Sequence, residues 1–152
     1  MVLKESNSSA KESSLRGHVR DLIVKDLQGF VTNHEDKFTR GIPDTSFAIK
    51  PRLSGWLELK YEPAWPKMWK TELRIGLRPE QRIWLRNRWK VIHDAFILVR
   101  IEDDIYMFTA QHVDALFYPI SRDHFEEIWV GKWSVRINPK EFMEIVCETA
   151  HQ

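Results

Sequence analysis

The sequence predicts a single-domain α/β fold in which helices flank a mixed central sheet. The length of 152 residues suits one domain, and no internal repeat or linker divides the chain. Hydrophobic patterns indicate the order helix, three strands, helix, two strands and further helices. With 43% hydrophobic residues, seven Trp and eight Phe, the chain can fill one core. This order favours a mixed sheet over a doubly wound parallel one.

The first third of the chain is predicted to form one helix and three strands. Ser13 and Ser14 can cap a helix whose hydrophobic residues recur at helical spacing as far as Leu27, and Gly29 follows as its stop. The three strands are predicted at 30–33, 46–49 and 56–61.

The middle of the chain begins with a long connection from 62 to 77, and connections of this length are often functional or mobile. Pro79 then opens a helix that extends to about Trp89. The near-continuous apolar run 95–101 is typical of a strand covered on both faces, and it is expected to pair with 105–108. The last third is predicted to hold short helices at 110–116 and 124–129, an edge strand at 133–137 and a final helix capped by Asn138.

The third predicted strand carries the most informative polar residues. One face bears Trp56, Glu58 and Lys60, and the other bears Leu57, Leu59 and Tyr61. An acid and a lysine on one face of a short strand that is otherwise apolar are costly unless they are paired or used. They either form a solvated cross-strand ladder or belong to a site.

Asp44 lies at the start of the second predicted strand, where it is expected to approach Glu58 across the sheet. Two carboxylates, with the Leu59 carbonyl directed to the same place, could hold a hard cation through oxygen. Mg²⁺ held there would polarise a phosphate and lower the pKa of a water. Lys60 would then orient the attacking water or neutralise charge that develops on the phosphate. Without such a site, Asp44 would only cap a turn.

Gln81 is the polar member of a buried face on the predicted central helix. At about 100° per residue, that face also holds Trp84, Leu85, Trp89 and Ile92. Gln81 is therefore expected either to contact a phosphate or a metal-bound water, or simply to begin the helix.

Basic residues are concentrated in the middle of the chain, although the net charge is only +1. Arg82 and Arg86 share one side of the predicted helix, where they either contact phosphates or form a solvated face. Trp65 and Trp69 interleave with nearby lysines, which suits stacking on exposed bases or covering of the sheet edge. The candidate DNA contacts are Lys37, Arg40, Lys67, Lys70, Arg78, Arg82 and Arg86.

The single cysteine and the distribution of hydrophobic residues indicate the cellular compartment in which the protein is expected. Cys147 is the only cysteine, so the chain can form neither an internal disulfide nor a cysteine-based zinc site. The sequence contains no apolar run of about 18 residues and no signal-peptide pattern at its start. We therefore expect a cytoplasmic protein with no membrane association and no disulfide-linked partner.

The pattern Gly41-Ile42-Pro43-Asp44, followed after thirteen residues by Glu58-Leu59-Lys60, resembles the PD-(D/E)XK nuclease superfamily. The segment Leu77-Arg78-Pro79-Glu80-Gln81, followed by Trp84, Leu85 and the apolar strand 95–101, is similar to the branch of VRR-Nuc and phage Holliday-junction-resolvase nucleases. The resemblance covers about residues 12–108.

This resemblance implies a restriction-endonuclease-like fold and Mg²⁺-dependent hydrolysis of DNA phosphodiester bonds, with Mn²⁺ able to substitute. It implies catalytic roles for Asp44, Glu58, Lys60 and Gln81. It also implies a further metal-binding carboxylate from the first helix, for which Glu12 is the best-placed candidate and Asp21 the weaker one. The implied substrate is branched or junction DNA, and resolution of a four-way junction requires a homodimer. A phage or mobile-element origin, with activity in the host cytoplasm, fits the small size.

The same resemblance divides the chain into a flexible start at 1–11, a nuclease core at 12–108 and a C-terminal helical extension at 109–152 that packs on the core. Two other functions stay open. One is a nicking or restriction-type nuclease in which the C-terminal third reads bases. The other is a DNA-binding module with the same fold and no catalysis.

Overall fold

The computed structural model describes residues 14–35 and 40–152. Their strands form one six-stranded sheet whose order follows the chain. Only the third and fourth strands are parallel, so the predicted mixed sheet is confirmed. The strands are β1 (Phe30–Asn33), β2 (Thr45–Ile49), β3 (Leu53–Glu62), β4 (Ala95–Ile101), β5 (Asp104–Thr109) and β6 (Gly131–Ser134).

Helices cover both faces of this sheet. The first, α1, is α-helical over residues 14–21 and ends in a π-helical turn, Leu22–Asp26. A 3₁₀ turn, Ala110–His112, follows β5. The other helices are α2 (Pro79–Val91), α3 (Val113–Phe117), α4 (Arg122–Ile128) and α5 (Pro139–Ala150).

The β4 strand separates two hydrophobic clusters because its side chains alternate between the faces of the sheet. Phe96 and Leu98 pack with residues of α1 and α5 in one cluster. Ile97 and Val99 pack with residues of α2, α3 and α4 in the other. Every residue of β4 except Arg100 is buried, which confirms the expectation of a strand covered on both faces.

The predicted elements are largely confirmed, with differences at their ends. The predicted edge strand 133–137 begins two residues earlier, at Gly131, and ends three residues earlier, at Ser134, because Val135 adopts a positive φ of 66°. The prediction for Ile92 was wrong. The helix stops at Val91, and Ile92 turns to an extended conformation that leaves its side chain 44% exposed.

The parallel pairing of β3 with β4 requires a crossover, and α2 lies within it. Trp56 of β3 packs in the cluster that includes Leu85 of α2. Glu58 and Lys60 share the face of Trp56, so the crossover brings the start of α2 to the polar side chains of β3.

Among the described residues, no helix has both the length and the apolar character needed to cross a bilayer. Cys147 lies half-buried on α5 as a free thiol, as the sequence predicted for the only cysteine.

The turn before β2 packs tightly on the first turn of α2. Gly41 is buried, has a φ of 83°, and faces the backbone of Glu80 so closely that a Cβ atom would overlap its carbonyl group. Glycine is therefore required by both the conformation and the contact.

We expect Gly41→Ala to destabilise the protein by about 1–2 kcal/mol through the positive φ and by roughly 1–3 kcal/mol more through the overlap with Glu80. Gly76→Ala is the matched control, because Gly76 has a φ of 72° and open space around it. Urea unfolding of both variants measures the difference. Equal losses would show that the contact with Glu80 imposes no cost of its own.

Candidate metal and nucleic-acid site

The Asp44 carboxyl is held by the neighbouring strand. The Leu59 amide of β3 donates to Asp44 Oδ2 at 3.0 Å. The His34 amide donates to the Asp44 carbonyl at 2.9 Å, which holds the backbone as well. In a strand, the amide and carbonyl of one residue point to the same side. The Leu59 carbonyl is therefore directed toward Asp44, as the sequence analysis expected.

Glu58 is a buried acid in the middle of β3. Its side chain is 1% exposed, and Lys60 Nζ lies 3.4 Å from Glu58 Oε1. The Lys60 side chain is 18% exposed, so the ammonium group stays in contact with solvent. The two residues therefore do not form a solvated ladder.

Gln81 lies at the third position of α2 and connects this helix to Glu58. Gln81 Nε2 donates to Glu58 Oε1 at 2.6 Å, and Gln81 Oε1 accepts from the Arg78 amide at 3.0 Å. The second bond is one of the two bonds of a capping box, in which the side chain of the third helical residue accepts from the backbone amide of the N-cap residue. Because the amide oxygen is used by the backbone, the amide nitrogen must face Glu58.

Burial, with a further contribution from the nearby Asp44 carboxyl, raises the pKa of Glu58 to about 8, against the opposing effect of Lys60. Burial and the Asp44 carboxyl both favour the protonated form of Glu58, which carries no charge.

The donor set fits a hard divalent cation. Glu58 Oε2 is buried and has no donor among the described residues, although a buried carboxylate oxygen needs a partner. A cation between the two carboxyls would supply it and remove their repulsion. Mg²⁺ commonly uses only one or two protein carboxylates. Residues 14–35 and 40–152 contain no cluster of three acidic, His or Cys side chains suited to a metal. Glu12, the predicted additional ligand, lies outside the described residues.

These side chains line one cavity of about 190 Å³. Its wall includes all four predicted catalytic residues and the Leu59 backbone, so the structure brings them together. The remaining lining residues are Leu15, Arg16 and Arg78.

Two of the predicted DNA contacts are already engaged by a protein carboxylate. Arg82 Nε lies 2.7 Å from Asp114 Oδ1, and Arg86 Nη1 lies 3.9 Å from the same oxygen. The Arg82 guanidinium also lies over the rings of Phe117 and Tyr118. This side of α2 is therefore covered by α3.

The other predicted contacts are distributed differently. Arg78 lines the cavity and Arg40 lies beside it, lining a neighbouring one. Lys67 and Lys70 are exposed in the long connection, away from the cavity wall. Lys37 lies outside the described residues.

The tryptophans of the long connection divide between the two roles considered for them. Trp65 packs edge-on against Phe125 and Tyr106, with ring centroids 5.3 and 6.1 Å away, and so covers the sheet. Trp69 is 55% exposed and donates to Asp123. The Arg122 guanidinium lies over both indoles, 4.2 Å from Trp65 and 4.1 Å from Trp69.

Sequence reasoning missed Arg16. It follows Glu12, the carboxylate that the resemblance implied, by four residues, so helical spacing from Glu12 could have nominated Arg16. Asp21, the weaker alternative to Glu12, instead pairs with Lys25 at 3.4 Å. His18 accepts from the Ile137 amide at 3.1 Å and therefore has a structural role.

A comparison with known protein families finds no family that matches this chain, and a comparison with curated proteins finds no similar sequence.

Glu58→Gln is expected to stabilise the metal-free protein. With a folded pKa of about 8 and an ordinary value of 4.5, Glu58 lowers stability as pH rises, because only the unfolded chain releases the proton between these values. The gain should be small at pH 5 and amount to several degrees in Tm at pH 8, at roughly 2–4 °C per kcal/mol. Thermal unfolding in EDTA measures it. Glu144→Gln on the exposed side of α5 is the control, and a gain independent of pH would contradict the expectation.

Proposed function

We propose that this protein is a Mg²⁺-dependent endonuclease of the PD-(D/E)XK type, with a restriction-endonuclease-like fold, that hydrolyses DNA phosphodiester bonds. The observation that carries the proposal is the buried Glu58 carboxyl, which shares one cavity with Asp44, Lys60 and Gln81. The sequence resemblance, which predicted this group of residues, supports the same conclusion.

Burial of Glu58 is difficult to explain by stability alone. An acid enclosed in this way costs free energy unless it is fully paired, and one of its oxygens has no donor among the described residues. Perturbed acids in cavities concentrate at functional sites. A structural ion pair would satisfy both oxygens, which the contact with Lys60 does not do.

Asp44, Glu58 and the Leu59 carbonyl are the groups that would hold the cation. When bound, Mg²⁺ polarises the phosphate and lowers the pKa of a water. The Leu59 amide orients Asp44, and Gln81 orients Glu58, so neither carboxyl needs to reorganise when its charge is required. This arrangement corresponds to the partners that orient ligands around catalytic metals.

Lys60 is the fixed positive charge nearest to the carboxyl pair. Its contact with Glu58 is 3.4 Å long and its side chain stays partly exposed, so the ammonium group can also reach a phosphate entering from solvent. A charge placed before the reaction stabilises negative charge that develops on the phosphate oxygens. Lys60 therefore serves the transition state more than the ground state.

By resemblance, the preferred substrate is branched or junction DNA, and a homodimer would cleave a four-way junction. A sequence-preferring nicking or restriction-type nuclease uses the same residues. Incubation of the protein with a junction, a flap, single strands and linear duplexes, with and without Mg²⁺ or Mn²⁺, distinguishes these substrates.

Asp44→Ala, Glu58→Ala and Lys60→Ala should each reduce cleavage at least about 100-fold while DNA binding is largely retained, because each removes a metal ligand or a stabilising charge. Single-turnover cleavage and fluorescence anisotropy measure the two properties. Lys140→Ala and Glu144→Ala, both exposed on α5, should cleave as the wild type does.

Wild-type rates in any of the three site variants would refute the assignment. Calorimetric titration with Mg²⁺ tests the non-catalytic alternative, because a simple binding module should release no heat that Asp44→Ala abolishes.

Gln81→Ala should have a smaller effect, roughly 10-fold to 100-fold. Because Gln81 positions Glu58 rather than the phosphate, we expect the loss to appear mainly as a higher Mg²⁺ requirement. Cleavage rates across a Mg²⁺ series measure this. An unchanged Mg²⁺ dependence would leave Gln81 as a residue that only begins α2.

A further inference from the structure

The arginines of the described residues differ in whether a protein carboxylate pairs with them. Arg82 and Arg86 pair with Asp114, Arg88 with Asp94, and Arg100 with Asp103. Arg16, Arg40 and Arg78 are exposed, make no ion pair with a carboxylate of residues 14–35 and 40–152, and line the two cavities at the candidate site. Other exposed arginines without such a pair line neither cavity: Arg20, Arg52, Arg74 and Arg136. The three arginines at the site are therefore available to an anionic ligand that enters there.

A second cavity, of about 380 Å³, adjoins the first. Asp44 and Arg78 line both cavities, so the two spaces meet at these residues. The second cavity has the size of a small-ligand site, whereas the first accommodates little more than a phosphate group and an ion. The walls of the second cavity include His34, Arg40 and Gly41, which lies in the turn that packs on the start of α2.

We propose that this second cavity is the subsite for the nucleotide adjacent to the cleaved phosphodiester bond, and that Arg78 and Arg40 hold the phosphate of that nucleotide. This proposal rests on the nuclease function proposed above. It extends that function by assigning the path of the DNA strand through the site and by replacing Arg82 and Arg86 with Arg40 and Arg78 as the principal phosphate contacts.

The charges of the cavity favour a nucleotide over a free anion. Glu35 and Glu80 line this cavity together with Arg40 and Arg78, so a free anion would be both attracted and repelled there. A nucleotide matches this arrangement, because its phosphate can meet the guanidinium groups while its sugar or base donates hydrogen bonds to the carboxylates. Guanidinium groups suit phosphates through paired N–H donors.

His34, which also lines this cavity, is held by three contacts. His34 Nε2 lies 2.8 Å from Ser46 Oγ, and the His34 ring centroid lies 5.0 Å from that of Trp56. The His34 amide also binds the Asp44 carbonyl. A nucleotide in this cavity would therefore contact a residue that directly supports a proposed metal ligand.

Arg78 offers a clean test because its side chain and backbone have separate roles. Its amide donates to Gln81 Oε1, which orients Gln81 toward Glu58. Arg78→Ala removes the guanidinium group but keeps this amide, so the Glu58 contacts should persist. The matched control is Arg52→Ala, an exposed arginine in the turn before β3. Arg52 precedes Glu58 by six residues of mostly extended chain, roughly 20 Å away.

The experiment measures binding of fluorescein-labelled junction and single-stranded DNA by anisotropy in EDTA, across a series of salt concentrations. Arg78→Ala and Arg40→Ala should each weaken binding about 3-fold to 10-fold. Each should also reduce the slope of log K against log salt by the amount of one phosphate contact, about 0.7 to 0.9. Arg52→Ala should match the wild type, and Arg78→Lys should keep the slope.

Single methylphosphonates, placed at successive positions of the bound strand, identify the phosphate. At one position, the methylphosphonate should weaken binding to the wild-type protein but should not weaken binding to Arg78→Ala any further. The reason is that the modified DNA and the variant protein each lack the same contact. If Arg78→Ala and Arg40→Ala bind like Arg52→Ala, or no position shows this coupling, the subsite is refuted even when cleavage depends on Glu58. If Glu58→Ala cleaves at the wild-type rate, the nuclease function fails instead.

Discussion

The arrangement of this protein depends on one buried carboxyl group. Glu58 is enclosed in β3, where it accepts a 2.6 Å hydrogen bond from Gln81 and faces Lys60 and the Asp44 carboxyl. These contacts connect the start of α2, the turn before β2 and the central strand. The burial of this carboxyl lowers stability, and it leaves one carboxyl oxygen without a donor among the described residues beside a cavity.

The fold places these groups through the only parallel strand pair in residues 14–35 and 40–152. A parallel connection must cross the sheet, so α2 lies over the face of β3 that bears Glu58 and Lys60. Gly41 allows the turn before Asp44 to approach the first turn of α2 without steric overlap. Backbone geometry on both sides of the cavity therefore determines the carboxyl positions, and the proposed cation site would need such fixed positions.

Pairing among charged side chains decides which parts of the surface can bind an anion. Asp114 pairs with two arginines of α2, and Asp94 pairs with a third, so the basic middle of the sequence is less basic in the folded protein. Three exposed arginines that make no such pair, Arg16, Arg40 and Arg78, come from separate segments of the chain. They line two cavities that meet at Asp44 and Arg78, an arrangement that a basic composition alone does not predict.

The sequence alone determined the strands 30–33 and 95–101, the start of α2 at Pro79 and the grouping of Asp44 with Glu58 and Lys60, because local periodicity and turn residues carry that information. Only the tertiary structure decided that Ile92 is exposed, that Arg82 is bound by Asp114 and that Arg16 reaches the cavity. The physical reason is distance along the chain. Burial and ion pairing depend on contacts between segments tens of residues apart, and no local pattern records which segments meet.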